Sequence, residues 1–262
     1  MKQGEQNNPH SDIILEVIDL EKDFGGIKAV HNCSLSVKRG TITGIIGPNG
    51  AGKTSLFNLI SGLYQPDRGE IWFNYERIDT HKTHHITRRR LMRTFQIPRE
   101  LQKMTVLENL MLIPHNQLGE NLLNVWFTPN QVRTQEEEIR EKALEVLEFI
   151  EMSHLIDEYA ANLSVGQKKL LEIARTMMAD PELILLDEPG AGVNKSLMKK
   201  LAADIRKLNA LGKTFLLIEH DMDLVMNLCN PIIVMCEGAK LVEGTAHEIR
   251  SNQQVLDAYL GG

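Results

Sequence analysis

Gly47-Pro48-Asn49-Gly50-Ala51-Gly52-Lys53-Thr54 fits the spacing G-x-x-x-x-G-K-S/T without a mismatch. A brief apolar run, Ile42 to Ile46, leads into it, and an apolar helix is expected to follow from Lys53 to Ser61. The order is strand, loop, helix. Glycines there let backbone N–H groups converge on a β-phosphate, and a helix N-terminus adds partial positive charge at the same place. Lys53 should bridge the β- and γ-phosphates, and the Thr54 hydroxyl should bind Mg²⁺. With Ser55 next in the helix, Gly47 to Ser55 make the expected nucleotide cradle. The bland alternative is a glycine-rich turn with an exposed lysine; the complete match in a strand-to-helix context speaks against it.

The rest of the composition bounds what such a loop can serve. A chain of 262 residues, 42% hydrophobic, suffices for one large α/β domain or a domain carrying a subdomain. A formal net charge of -6 leaves no global positive field to hold a nucleic acid, so phosphate binding must be local and no nucleic-acid partner is expected. Cys33, Cys229 and Cys236 are scattered, without the spacing of a zinc site or disulfide framework, and read as reduced thiols. Residues 1–12 lack the basic start and apolar stretch of a secretory signal and read as a flexible arm. No window approaches the roughly 18 consecutive apolar residues of a membrane span. Any membrane role would therefore require docking onto another subunit.

Around the loop, Ile13-Ile14-Leu15 with Val17, and Cys33 to Val37, read as short strands of an N-terminal antiparallel β layer. From about Arg99 to Asn162 the character changes. Ile139, Ala143, Val146, Leu147 and Ile150 recur at helical spacing with charges between them, so this stretch reads as a helical insertion. Strands return at Leu183–Leu186, Thr214–Ile218 and Ile232–Met235, alternating with helices as in a parallel sheet covered on both faces. The division expected is a core of 13–96 and 163–245, a helical subdomain of 97–162, and a helical tail of 246–262.

Three further stretches carry chemistry. Leu183-Ile184-Leu185-Leu186-Asp187-Glu188 is an apolar strand ending in two carboxylates at the sheet edge where ligands bind. Asp187 can hold Mg²⁺ through water, and Glu188 can polarise an attacking water as general base. Leu163-Ser164-Val165-Gly166-Gln167 reads locally as a capping box opening a helix from Lys168 to Met178. His220 ends the apolar run Phe215 to Glu219.

Leu163 to Gln167 resembles the L-S-G-G-Q signature of the ATP-binding-cassette (ABC) family, with Val165 in place of the first glycine, and the resemblance extends from about Leu15 to Gly262. It implies a P-loop ABC cassette: a mixed-sheet α/β core with an N-terminal antiparallel layer and an inserted helical subdomain. It implies ATP and Mg²⁺ as cofactors. Ser164, Gly166 and Gln167 would reach the γ-phosphate held by the facing subunit. Phe24 resembles the aromatic that stacks on adenine, and Gln96, in Arg93-Thr94-Phe95-Gln96, resembles the Q-loop glutamine that touches Mg²⁺ and water. Ala191-Gly192-Val193-Asn194 resembles the D-loop, and His220 the switch histidine that orients Glu188 and the water.

Within the family the chain looks most like the larger ATPase of branched-chain and neutral amino-acid importers. The residues that carry this are Arg93 to Gln96, the insertion after Thr105-Val106-Leu107-Glu108-Asn109-Leu110, Leu171 to Arg175, Asp187-Glu188-Pro189, Ile218 to Met222 and the C-terminal Glu243-Gly244-Thr245, Glu248-Ile249-Arg250 and Ala258 to Gly261. The partners implied are a second cassette, two polytopic membrane subunits and a periplasmic or lipid-anchored solute-binding protein, with the cassette peripheral on the cytoplasmic face of the plasma membrane. Urea and short-amide importers share this layout, and a soluble ABC ATPase of the cluster-assembly type is the alternative from another class. His81, His84 and His85 read as a solvated loop, and Arg88-Arg89-Arg90 with Arg93 as a solvated face or a contact with acidic groups on a partner or with lipid head groups. Trp126 and Phe127 read as either core or a partner-facing surface.

Overall fold

The computed structural model describes residues 12–94 and 101–260. The chain opens with a long hairpin, β1 (Ile13–Phe24) and β2 (Ile27–Lys38), paired antiparallel across the Gly25-Gly26 turn. Both strands exceed the short runs expected from the sequence. Register shifts in the ladder restore the inward set after each interruption, so that Leu20 and Val30 are buried along with Leu15, Val17 and Cys33. Then come β3 (Ile42–Ile46), α1 (Lys53–Ile60), β4 (Arg68–Phe73), β5 (Glu76–Arg77), α2 (Thr83–Arg88) and β6 (Leu91–Arg93). Three helices follow: α3 (Val106–Met111), α4 (Leu122–Phe127) and α5 (Pro129–Phe149). The remainder alternates: α6 (Val165–Met178), β7 (Leu183–Asp187), α7 (Lys195–Ala210), β8 (Thr214–Ile218), α8 (Met222–Leu228), β9 (Ile232–Cys236), β10 (Ala239–Gly244), α9 (Ala246–Ser251) and α10 (Gln253–Leu260).

Two sheets result. The first runs β2-β1-β4-β5 and is antiparallel; the second runs β10-β9-β3-β8-β7-β6, parallel except for β10. Side-chain alternation explains why the strands of the second sheet are apolar throughout. In β7, Leu183 and Leu185 join one core while Ile184 and Leu186 join the other; in β8, Leu216 and Ile218 part from Phe215 and Leu217 in the same way. The first core lies between the two sheets and takes in Leu56, Phe57 and Ile60 of α1. The second lies on the opposite face, under Leu201 and Ile205 of α7, Val225 of α8, Ile249 of α9 and Val255 of α10.

A third core is separate. Ile139, Ala143, Val146, Leu147 and Ile150 pack with Val106 and Leu110 of α3 and with Leu170, Leu171 and Ala174 of α6. The stripe read from the sequence is thus buried against α6, which carries apolar side chains to both the second and the third core. Trp126 and Phe127, on α4, are 82% and 74% exposed and belong to no core among the described residues.

Two expectations need correction. His84 and His85 lie on α2 rather than in a loop, because α2 buries Ile86 against the first core. The arginine run is a solvated face only in part: Arg88 and Arg90 are exposed, but three of the four arginines are engaged within the chain. Arg89 makes a two-bond pair with Glu76, Arg90 bridges Asp180 and Glu182, and Arg93 is inside the protein. Of the cysteines, Cys33 and Cys229 are buried thiols whose pKa burial pushes up to about 11 and about 12.

Candidate active site

The loop after β3 is shaped by close backbone approach. Gly47 has φ +152°, and a Cβ there would sit 2.1 Å from the Met235 carbonyl oxygen of β9. Gly52, the N-cap of α1, has φ +91°, and a Cβ there would sit 2.3 Å from the Ala29 oxygen of β2. Only glycine permits either contact. No side chain caps α1, so its first amides keep the partial charge of a helix N-terminus. Thr54 is exposed and Ser55 half-buried on that first turn. Lys53 is buried, its Nζ donating to the Gly47 and Pro48 oxygens at 2.8 and 3.0 Å. Burial pulls its pKa below the ordinary lysine value, while Glu188 and Asp187 act to raise it.

Those carboxylates arrive from the neighbouring strands. β8 separates β3 from β7, so the C-terminal ends of all three strands adjoin at the loop. Asp187 ends β7 and is 4% exposed. Glu188 then takes φ +49°, a left-handed conformation costly for a residue with a Cβ. Its amide donates to the Ile218 oxygen of β8, its oxygen accepts from Ala191, and its Oε1 lies 2.7 Å from His220 Nε2. The turn thus points the carboxylate across to the end of the adjoining strand. Glu219, buried between them, accepts from the amides of Gly190 at 2.6 Å and His220 at 2.9 Å, tying the turn after β7 to the turn after β8.

A second group forms at the start of α6. Ser164 Oγ accepts from the Gln167 amide at 3.3 Å and Gln167 Oε1 accepts from the Ser164 amide at 2.9 Å, the reciprocal capping box read from the sequence. The helix starts at Val165, three residues earlier than expected, because the box places the cap at Ser164. Val165 sits in the first turn, 58% exposed, and is not among the residues of positive φ. Gly166 has a packing reason: a Cβ there would lie 1.9 Å from Leu197 of α7. Asn194, at the D-loop-like stretch, caps α7 through the Leu197 amide. Phe24 ends β1, 40% exposed, edge-on to Tyr64 at 5.3 Å. Gln96 lies outside the described residues.

The structure therefore gathers Lys53, Asp187, Glu188 and His220 at one sheet edge and sets Ser164, Gly166 and Gln167 in a separate cluster against α7. Several neighbours were not assigned a part from the sequence. Glu219 read as the last residue of an apolar strand, and Tyr64 carried no pattern. Arg93 read as part of a charge run, although its position two residues after the buried Leu91 puts it on the inward face of β6. The phenol of Tyr259, on α10, lies beside the Gly47 amide, which opposes the upward push of burial on its pKa.

With this geometry in view, comparison with known proteins is decisive. The family model described as ABC transporter matches residues 30–191, more than half of the chain. The chain belongs to the ABC transporter ATP-binding family. A second model, described as branched-chain amino acid ATP-binding cassette transporter, matches residues 239–262. A probable branched-chain amino acid transport ATP-binding protein LivG of Archaeoglobus fulgidus is 43% identical over 248 residues, covering 95% of each chain. The solved ADP conformation of the ABC cassette MJ1267 is 38% identical with a TM-score of 0.81, over 95% of this chain and 99% of that one. A dimeric bacterial ABC transporter cassette, MJ0796, is 26% identical with a TM-score of 0.74, over 89% of this chain and 99% of that one. The protein is an ABC ATPase with the mixed-sheet P-loop fold, and no described helix is long and apolar enough to cross a membrane.

Proposed function

We propose that the chain is the ATP-hydrolysing subunit of an importer of branched-chain or other neutral amino acids, driven by ATP-dependent closure of two cassettes. The observation that supports the motor assignment most is the 2.7 Å contact between Glu188 and His220 beside the loop of Lys53. In this reading Gly47, Pro48, Asn49, Gly50, Ala51 and Gly52 wrap the phosphates with Lys53 and Ser55, and Phe24 stacks on the adenine. Glu188 takes the proton of the attacking water, with His220 and Gln96 orienting it. The residues present fit Mg²⁺: the donors are oxygens alone, the Thr54 hydroxyl and the Asp187 carboxylate, beside a cradle that a Cβ at Gly47 or Gly52 would fill. Mg²⁺ would neutralise charge on the β- and γ-phosphates there. Thr54, Asp187 and Gln96 would hold it.

Ser164, Gly166 and Gln167 would close on the nucleotide of the facing cassette, a role favoured by a capped, outward helix N-terminus. The working division is a core of 13–96 and 163–245, a helical subdomain of 97–162 and a tail of 246–262. The amino-acid assignment rests on the C-terminal match at 239–262 and on the relatives' names. Two polytopic membrane subunits and a solute-binding protein would complete the importer, with this subunit on the cytoplasmic face.

Glu188→Gln keeps the shape of the side chain and removes its basicity. Hydrolysis should fall at least about a hundredfold while ATP affinity persists. ATP then remains at the interface, so the variant should run as a dimer with ATP and a monomer with ADP in size-exclusion chromatography with light scattering. A variant that stays monomeric with ATP at high concentration and still hydrolyses it sinks the motor reading. Uptake of labelled leucine, against labelled urea, by the reconstituted transporter decides the solute class.

A further inference from the structure

Arg93 occupies a place that the hydrolytic machinery described above does not use. Its side chain is 8% exposed, and that of Asp187 is 5% exposed. The guanidinium is divided between two elements. Nη2 donates to Asp187 Oδ2 at 2.7 Å, whereas Nη1 donates to Asn58 Oδ1 at 2.7 Å and to Ser61 Oγ at 3.0 Å, both at the C-terminal end of α1. The same group lies 5.7 Å from the centre of the Phe57 ring. Its own strand, β6, is the edge strand beside β7, and the Thr94 amide extends that ladder to the Leu185 oxygen.

We propose that Arg93 is a positioning residue that fixes the rotation of the Asp187 carboxylate relative to α1, taking Oδ2 and leaving Oδ1 for the Mg²⁺ of the reading above. The inference rests on the functional reading given above. Three features favour it over a plain structural ion pair. The arginine takes a single oxygen, Oδ2, rather than closing the two-bond fork that guanidinium and carboxylate form when only mutual neutralisation is at stake. Its Nη1 donates to α1, the helix whose first residues are Lys53 and Thr54, so the carboxylate is tied to the element that presents the phosphate loop. The pair is also buried, where a hydrogen bond that orients a metal-ligating carboxylate governs metal affinity more than it does at a surface. Lysine cannot substitute in this role, because a single ammonium on a flexible stem cannot hold Asp187, Asn58 and Ser61 in one plane.

Arg93→Lys keeps the charge and removes the planar fork. The measurement is the binding of a fluorescent ATP analogue to the purified chain, titrated with Mg²⁺ and repeated in EDTA, with thermal unfolding as a check on folding. The Mg²⁺ concentration for half-maximal tightening should rise about tenfold, the affinity in EDTA serving as the internal reference. Asn58→Ala combined with Ser61→Ala leaves Arg93 and its charge in place but cuts it from α1, and should shift the Mg²⁺ midpoint in the same direction. An unchanged midpoint in a folded Arg93→Lys chain overturns the proposal, since any cation would then serve. If Arg93→Lys does not fold, an unchanged midpoint in the Asn58, Ser61 double variant overturns it alone. A wild-type chain that binds no nucleotide in either buffer overturns the functional reading, and this proposal with it.

Discussion

Gly47 and Gly50 belong to the same loop and both have positive φ, yet the structure constrains them differently. At Gly47 a Cβ would overlap the Met235 carbonyl, a backbone atom held in the β9 ladder. At Gly50, with φ +82°, nothing lies within 4 Å of the added atom. Gly50→Ala should therefore cost only the left-handed strain, about 1–2 kcal/mol. Gly47→Ala should cost more than about 3 kcal/mol, because β9 cannot retreat without breaking its pairing with β3. Midpoints of urea unfolding for the two variants check this; equal losses would mean that the Met235 approach does not constrain the loop. Glu188 makes the complementary case. It holds φ +49° although it is not glycine, which is sustained by the Ile218 hydrogen bond below it and the His220 contact ahead of it.

Helix α6 shows how one element serves two purposes. Its capping box satisfies first-turn amides, and its body carries Ile173 into the second core and Leu170, Leu171 and Ala174 into the third. Ser164→Ala should lower stability by about 1 kcal/mol through loss of the cap. Val165→Gly should lower it by a further 0.5–1 kcal/mol or so, since valine already stands in an ordinary first-turn conformation and gains nothing from the freedom of glycine. Its ATPase rate should stay within a few fold of wild type. Circular dichroism melts and a coupled ATPase assay measure both. A large rise in rate for Val165→Gly would show that the valine restrains the signature segment.

At the scale of the whole molecule, the sheet cores and the helical core differ in how they are closed. The first two are stitched by continuous ladders from β10 to β6. The third is closed by packing among α3, α5 and α6, with the Thr105–Tyr159 bridge inside the unit itself, rather than by a ladder of either sheet. Native-state hydrogen exchange should accordingly show the buried amides of α5 opening at lower free energy than those of β3, β7 and β8. A common opening energy for all four elements would mean that the chain unfolds as one unit.

Much of the site could be read before any coordinates. The phosphate loop, the strand ending in Asp187-Glu188, His220 at the end of the next apolar strand and the Ser164 capping box are local patterns, in which residues a few positions apart satisfy one another's backbone groups or present one end of a strand. The stripe of α5 was legible for the same reason, since helical period alone sets its face. What depended on tertiary structure was every pairing between residues distant in sequence. Strand order decides that β8 lies between β3 and β7, and so that Lys53, Asp187, Glu188 and His220 share an edge. The burial of Arg93 against Asp187, 94 residues away, and the approach of Tyr259 to Gly47 follow from that order. A charge in a sequence does not say whether it meets water or a carboxylate; only the packing of β6 against β7 and α1 removes the water and brings the Nη atoms of Arg93 to Asp187, Asn58 and Ser61.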